Sequence, residues 1–292
     1  NYSVANGDKY WAPTLDEWRK QWMPSTDYYN KYSIFAIQHR TNENRNYLIF
    51  NFSPGLPPSY TSRRIFGNSI WVEKTLEYEF ERTFSNGKKD GRGIGFTILE
   101  GYEEEPNYPA YTNDRENVIL EDGTTVEVYT KTMFYKYLPS KPKLAELGMS
   151  FDESSMAGDY DWPVNFPILR LEDMMLLYAE LLADEGNVVE AMYYVNKIRE
   201  RAGCDPETAS TSADALRLIK RERRVELAGE GIRWFDLVRY GEWQSAITRM
   251  FDNYNNPDGT DKSELKNGRY LYPIPLDQMN AVPGLYSQNE GY

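Results

Sequence analysis

The sequence predicts a mainly helical protein with long irregular loops and a few short strands. After residue 165, apolar residues recur three and four positions apart, which is the spacing of one buried helical face. Before it, Pro, Gly and Asn interrupt short aromatic stretches, and these residues favour turns and loops. We therefore distinguish a loop-rich aromatic region, residues 1–165, from a helical region, residues 166–292, and expect them to form one compact unit.

A helical hairpin is predicted at the start of the helical region. Two apolar stripes flank a turn at Gly186-Asn187. The stripes are Leu171, Met175, Tyr178 and Leu182, then Ala191, Val195, Ile198 and Ala202. The small side chains of Ala179 and Ala191 allow close approach of the two helices, as in a tetratricopeptide unit. A repeat array needs several such units and only this one is clear, so we assign the hairpin to the scaffold.

The loop-rich region carries weaker signals. One helix is predicted at 71–84, and strands are predicted at 46–52, 95–99 and 124–131. Asp122-Gly123, just before the last strand, is a hairpin turn signal. In the helical region, Thr211 and Asp214 have the spacing of a capping box and predict that a further helix begins there.

Residues 221–241, RERRVELAGEGIRWFDLVRYG, interleave charges of both signs with large apolar side chains. Opposite charges three positions apart can pair on one helical face, and Gly229 and Gly231 indicate a break between two helices. Phe235 shares a face with Ile232, which predicts that protein partly wraps the second helix. Buried charges require partners in fixed geometry, so the segment predicts a buried ion-pair network. Its pairs are Arg223 with Glu226, Glu230 with Arg233, and Asp236 with Arg239, accompanied by Trp234.

This segment resembles the signature of the SusD/RagB family, the surface nutrient-binding lipoproteins of Bacteroidetes glycan-uptake systems. Three further stretches are similar and occur in the same order as in the family. They are residues 166–203, YLYPIPLDQMN at 270–280 and GLYSQNEGY at 284–292. Looser landmarks occur at 32–38, 88–97 and 135–137. Glu290 departs from the Pro that the family usually has in the closing motif.

The resemblance implies a SusD-like helical platform and a non-enzymatic function. It implies capture of oligosaccharide or polysaccharide at the cell surface, with delivery to a SusC-like TonB-dependent outer-membrane transporter. It also implies a lipid anchor at the outer membrane and a preceding N-terminal half, with which this chain would pair as the C-terminal part. A peptide-binding member of the same family would share every motif quoted. Less favoured alternatives are a glycoside hydrolase, which would need two essential carboxylates, and a pure protein-interaction scaffold.

Composition disfavours some classes of partner. Lys and Arg total 33 against 45 Asp and Glu, a net charge of −12, whereas nucleic-acid binders present basic surfaces. Mean hydropathy is −0.70, and no apolar run approaches the length of a bilayer span. Cys204 is the single cysteine, so we expect no intrachain disulfide and a buried, inert thiol. His39, the single histidine, is expected in a solvated loop.

No sequence motif predicts catalysis or a cofactor. The acidic groups that a glycosidase would need are present in Glu103, Glu104 and Glu105 and in Asp152, Glu153, Asp159 and Asp161. Consecutive glutamates more often form a solvated loop, so we do not assign an active site to them. We expect no metal, although the oxygen-rich residues 252–259 leave a weak structural calcium site as an alternative.

Aromatic content is the positive functional signal outside these motifs, with 24 Tyr and 7 Trp among 292 residues. Flat aromatic rings stack on the apolar faces of sugars, while amides and charged groups bind hydroxyls. Loop aromatics interleaved with such groups, including Tyr102, therefore make candidate ligand contacts. The candidates are Trp71, Tyr60, Trp11, Trp18, Trp22, Tyr28, Tyr29, Tyr108, Tyr111, Asn113 and Arg115. Trp162, Trp234 and Trp243 are expected to pack instead.

Overall fold

A computed structural model describes residues 8–24, 32–44, 46, 56–63, 71–107, 114–120, 122–129, 132–253 and 271–289. The chain forms two compact units, of which the first comprises Asn1–Val118 and Thr125–Gly231 and the second Ile119–Thr124 and Ile232–Tyr292. The first unit therefore continues across residue 165. Composition changes there, but residues on both sides share one unit.

The first unit contains six helices among its described residues. They are α1 (Leu15–Lys20), α2 (Lys74–Glu81), α3 (Lys141–Glu146), α4 (Leu171–Asp184), α5 (Val188–Arg201) and α6 (Ser212–Glu226). None of the helices in the described part of the chain has the length and apolar character needed to span a bilayer.

Short strands pair in twos, and two of the described pairs, both antiparallel, join segments that are distant in the sequence. The described strands are β1 (Ser33–Ile37), β2 (Ile98–Leu99), β3 (Arg115–Ile119), β4 (Thr125–Tyr129), β5 (Met133–Phe134) and β6 (Phe166–Arg170). They pair as β1 with β6, β2 with β5, and β3 with β4. The β3–β4 pair confirms the predicted strand after Asp122-Gly123, where Gly123 has φ +84°.

The predicted helical hairpin is confirmed in α4 and α5. The second stripe, from Ala191 to Ala202, is buried throughout, and Gly186 turns the chain with φ +82°. Helix α6 packs against both, and its Ile219 is fully buried. Thr211 caps α6 by accepting a hydrogen bond from the backbone N–H of Asp214 at 3.1 Å. Tyr178 differs from the prediction, because this ring is 45% exposed on the outer face of α4.

Two other helical predictions need correction. Residues 166–170 form strand β6 before α4 begins, since they pair with β1, a long-range partner that periodicity cannot show. The 71–84 segment is not the one helix of the loop-rich region, because α1 and α3 lie there too. The strand predicted at 95–99 is reduced to Ile98–Leu99, and most of the strand predicted at 46–52 lies outside the described residues.

A buried ion-pair network joins α6 to the rest of the first unit. The fully buried Glu226 carboxylate accepts hydrogen bonds from Arg170 and Arg201, both at 2.7 Å. Its other oxygen accepts from Arg92 at 2.6 Å. The network contains five cations, Arg92, Lys136, Arg170, Arg199 and Arg201, and five carboxylates, Asp90, Glu172, Glu222, Glu226 and Glu230. The formal charges of these ten buried groups balance.

The network has different partners from those that the helical spacing predicts. Glu230 pairs with Lys136 and Arg170 at 2.6 and 2.7 Å, and Glu226 pairs with arginines from other elements. Arg223 pairs with Asp173 on α4 at 2.8 Å. Tertiary partners satisfy these groups because the helix faces that carry them point into the unit rather than along its surface.

Electrostatics within the network favour charged Glu226. Burial opposes ionisation, yet Arg201, Arg170 and Arg92 hold the pKa of Glu226 well below its ordinary value. Burial lowers the pKa of Lys136 to about 8, although Glu230 acts in the opposite direction. Glu226 is thus charged in spite of its burial.

The second unit contains α7 (Arg233–Arg239), α8 (Trp243–Asn253) and α9 (Leu276–Ala281). Here the predicted pair of Asp236 with Arg239 is confirmed at 2.9 Å. Trp234 packs edge-on against Trp243, with ring centroids 6.1 Å apart. Phe235 is 69% exposed, so the described residues do not wrap this face of α7 as predicted.

The closing motif folds back on the YPIP segment within the second unit. Gln288 accepts from the backbone N–H of Ile274 at 2.7 Å and donates to its carbonyl at 3.1 Å. Asn289 donates to the Tyr272 carbonyl at 2.6 Å. These contacts give the motifs at 270–280 and 284–292 a structural reason to occur together.

Replacing Glu226 with Gln should lower the free energy of unfolding by about 3 kcal/mol or more, because three arginines lose their shared charge partner in the interior. Urea unfolding followed by circular dichroism measures this. Glu185→Gln, at an exposed carboxylate after α4, serves as the control and should change stability by less than about 0.5 kcal/mol. Equal stability of the two variants would contradict the structural importance of the network.

Candidate functional site

A cleft of about 580 Å³ opens between the loop at 56–63 and the loop at 149–161 in the first unit. It combines basic, acidic and aromatic groups on one surface. The lining residues are Ser62, Arg63, Lys141, Leu144, Phe151, Asp152, Glu153, Ser154 and Asp159. Most carry polar groups, which suits a hydroxyl-rich ligand better than an apolar one.

Hydrogen bonds hold the two walls of the cleft in place. The Arg63 guanidinium donates to the carbonyl oxygens of Glu153 and Met156, the latter at 2.9 Å. The backbone N–H of Ser62 donates to the Glu153 carboxylate at 2.6 Å. From α3, Lys141 donates to the carbonyl of Pro58 at 2.7 Å. The cleft is therefore preorganised by contacts between segments far apart in sequence.

Asp152 supplies an ionised carboxylate at the cleft. One of its oxygens accepts from the backbone N–H of Ser154 at 2.9 Å and from its hydroxyl at 2.6 Å. These two hydrogen bonds lower the pKa of Asp152. A lowered pKa suits a hydrogen-bond acceptor, whereas the acid of a glycosidase needs a raised one.

Asp161, a further carboxylate on this loop, has a structural role. Asp161 is fully buried and accepts hydrogen bonds from the backbone N–H groups of Asn42 at 2.6 Å and Ala157 at 3.2 Å. It therefore ties the 149–161 loop to the turn that begins after β1. Asp152 and Asp161 thus show no arrangement of an acid and a nucleophile.

Partly exposed aromatic rings occur in the lining of the cleft and on its 56–63 wall. Phe151 lines it and packs on Trp162, with ring centroids 5.7 Å apart. Tyr60, on the 56–63 loop, packs against Tyr102 at 6.2 Å and against the buried Tyr135 at 6.1 Å. Both Tyr60 and Tyr102 are half-buried, so each is anchored on one side and open on the other.

Tyr60 remains a hydrogen-bond donor at ordinary pH. Burial raises the pKa of its hydroxyl, and the negative charges of Glu105 and Glu103 raise it further. Glu105 also accepts from the backbone N–H of Ser59 at 3.3 Å. The acidic loop predicted as solvated thus borders the aromatic face and helps to position it.

Burial contradicts the prediction that Trp11, Trp18 and Trp22 contact a ligand. Trp18 and Trp22 are fully buried, and Trp11 is 8% exposed, so no ring face is open for stacking. The Trp18 indole donates to the Glu226 carboxylate at 3.0 Å. Lys136 lies 4.2 Å from the centre of the Trp22 ring. These rings pack around the buried charges, where large aromatic residues supply apolar area and an indole N–H.

The remaining candidates occupy varied positions. Trp71 is half-buried and packs against the same core, while Arg115 is engaged with Glu81 at 3.1 Å and lies 4.0 Å from the centre of the Tyr129 ring. Tyr28, Tyr29, Tyr108, Tyr111 and Asn113 lie outside the described residues. Sequence reasoning did not identify Arg63, Lys141 or Phe151 as neighbours, because no spacing or motif connects them.

Comparison with known proteins identifies the family. The model of the SusD family matches residues 13–292. The chain belongs to the SusD family. This membership accounts for the confirmed resemblance of the charged helical segment and of the closing motifs, and the mainly helical architecture agrees with SusD superfamily structures.

This chain spans only part of the length of the relatives that it matches. SusD-like protein P38 of Formosa agariphila is 32% identical over 143 residues, which cover 44% of this chain and 28% of the relative. A SusD superfamily structure from Parabacteroides distasonis matches with a TM-score of 0.65 and 21% identity, covering 99% of this chain and 55% of that one. A laminarin-binding SusD-like protein matches with a TM-score of 0.60 and 21% identity, covering 96% and 53%.

The corrected role of Trp18 has a direct test. Trp18→Phe should lower the free energy of unfolding by about 2 kcal/mol, because it removes a buried hydrogen bond to a charged group. Urea unfolding followed by circular dichroism provides the measurement, with Tyr272→Phe, at a ring that is 89% exposed, as the control. A Trp18→Phe protein with unchanged stability but lost ligand binding would restore Trp18 to the ligand site.

Proposed function

We propose that this protein binds a glycan at the bacterial cell surface, without catalysis, and delivers it to a SusC-like TonB-dependent outer-membrane transporter. Membership of the SusD family carries the proposal. A structurally similar protein of this family is described as laminarin-binding, which supports glycan as the class of ligand. The chain spans about half the length of that structure, so the function of the whole protein is part of the proposal.

The cleft at the 56–63 loop is the proposed glycan-contacting surface of this chain. Sugar rings present apolar C–H faces, which would stack on the open sides of Tyr102 and Phe151. The Arg63 and Lys141 cations and the Asp152 carboxylate would bind hydroxyls directly or through water. Because hydrogen bonds already fix both walls, little conformational entropy would be lost on binding.

The chemistry of the cleft favours binding over hydrolysis. Asp152 has a lowered pKa and is fixed by Ser154. Asp161 is buried as a partner of two backbone N–H groups. A glycosidase would need one carboxyl that retains a proton and a second one across the scissile bond. The lowered pKa of Asp152 does not suit the first of these roles.

The proposed binding surface is tested by affinity electrophoresis against a panel of polysaccharides that includes laminarin. For a polysaccharide that retards the unsubstituted protein, Tyr102→Ala should lower the affinity about fivefold, since an aromatic stacking contact is worth about 1 kcal/mol. Tyr178→Ala is the matched control. That ring is also partly exposed but lies on the outer face of α4, and its loss should leave retardation unchanged.

The outcomes separate the proposal from its rivals. If both variants are retarded as strongly as the unsubstituted protein, the protein binds glycan but the cleft is not the binding site. Release of reducing sugar during incubation would support a hydrolase instead. Absence of retardation on every polysaccharide would contradict glycan capture and favour the peptide-binding alternative, which a peptide-library screen of the same two variants would then examine.

A further inference from the structure

Three carboxylates that do not line the cleft converge in the first unit. Glu77 and Glu81 lie one turn apart on α2, and Glu100 follows β2. One oxygen from each lies within 4.8 Å of the others. The group therefore brings together helix α2 and the residue that follows strand β2.

Glu77 distinguishes this group from an ordinary acidic surface. Its side chain is fully buried, and among the described residues neither of its oxygens receives a hydrogen bond of normal geometry. The Oε1 oxygen of Glu100 is in the same condition. Apart from the backbone of Tyr129, which acts on Glu77, these oxygens have no hydrogen-bonding partner of normal geometry among the described residues. A buried carboxylate in this state is unfavourable unless an occupant compensates its charge.

Neighbouring cations compensate only part of the charge. Arg115 from β3 contacts both oxygens of Glu81, at 3.1 and 3.2 Å, and Lys89 contacts Glu81 at 3.3 Å. Their direct contacts are made with Glu81, on the more open side of the group. Glu77 and Glu100 face each other and Glu81 without a hydrogen-bonded cation of their own among the described residues.

We propose that Glu77, Glu81 and Glu100 bind a calcium ion. Carboxylate oxygens are the ligands that calcium prefers, and Ca–O distances of about 2.3–2.6 Å place ligand oxygens up to about 5 Å apart. Magnesium demands near-ideal octahedral geometry and loses its waters reluctantly, so a site of three carboxylates favours calcium. Glu81 and Glu100 are only half-buried, which leaves water access to complete the coordination.

This site would act as a clamp. The ion would bridge α2 and the residue after β2, and β2 pairs with β5 in a short two-stranded sheet. Binding to the folded state alone stabilises it in proportion to the logarithm of the ion concentration. The site is distinct from the oxygen-rich segment 252–259, most of which lies outside the described residues.

A proton is the competing occupant. Burial and then the charges of Glu81 and Glu100 raise the pKa of Glu77 to about 8, against the opposite effects of Arg115 and the Tyr129 backbone. A protonated Glu77 carries no charge, so it would remain buried without a bound metal ion. The two occupants predict opposite responses to calcium and to replacement of Glu77 by an amide.

The test compares thermal unfolding at pH 8.5 after chelation with unfolding in added CaCl2 or MgCl2. Calcium at a hundred times its dissociation constant should raise Tm by about 5 °C, and magnesium should raise it less. Glu77→Gln should abolish the calcium shift. Glu79→Gln is the matched control on the same helix, because Glu79 pairs instead with Arg82 at 2.8 Å, and this variant should keep the shift.

Two results would overturn the proposal. A calcium shift that Glu77→Gln retains would place the ion elsewhere on this acidic protein. No calcium shift in the unsubstituted protein, together with a raised Tm for Glu77→Gln, would show that the site holds a proton. If Glu77→Gln does not fold, Glu100→Gln, at a half-buried carboxylate, provides the same comparison.

Discussion

Charge compensation around Glu226 is the constraint on which the first unit depends. Its carboxylate is fully buried and contacts arginines from three separate segments, at Arg92, Arg170 and Arg201. Removing a charge from water is costly unless partners and hydrogen bonds replace the solvent. Helix α6 therefore keeps its position only if β6, α5 and the turn at 91–95 keep theirs.

The same network reaches the candidate binding surface through aromatic packing. Trp18 donates to Glu226, and Trp18 and Trp22 pack edge-on, with centroids 6.0 Å apart. The aromatic core that contains them also contains Tyr135, against which Tyr60 packs. The rings that lie open beside the cleft are thus anchored on a core that is itself anchored by buried charges. This arrangement is suited to a rigid platform that presents a preorganised surface.

Sequence periodicity predicted the elements whose stabilising contacts are local. The α4–α5 hairpin has its turn at Gly186, and α6 begins at the Thr211 cap, as expected. Pairing partners that are distant in sequence left no such signal, so β6 was mistaken for helix. The ion-pair network was predicted from the charged segment, but its partners were not, because Arg92 and Lys136 are distant from that segment in the sequence and no helical spacing connects them to it.

The candidate site was predicted less well, for a physical reason. Tyr and Trp combine a large apolar ring with a polar group, so the same residue type suits a buried core and an open ligand surface. Loop-like surroundings therefore could not separate Trp18, which is buried, from Tyr60, which is partly open. The cations of the cleft, Arg63 and Lys141, become neighbours only after the fold brings their loops together.

The most direct test is hydrogen–deuterium exchange, measured with and without a polysaccharide that retards the protein in affinity electrophoresis. It shows whether the loops contact the glycan while the helices serve as the scaffold. Exchange should slow at 56–63 and 149–161 when the glycan is present, with exchange in Leu171–Asp184 and Val188–Arg201 unchanged. Slower exchange confined to those two helices, with the loops unaffected, would contradict binding at the loops.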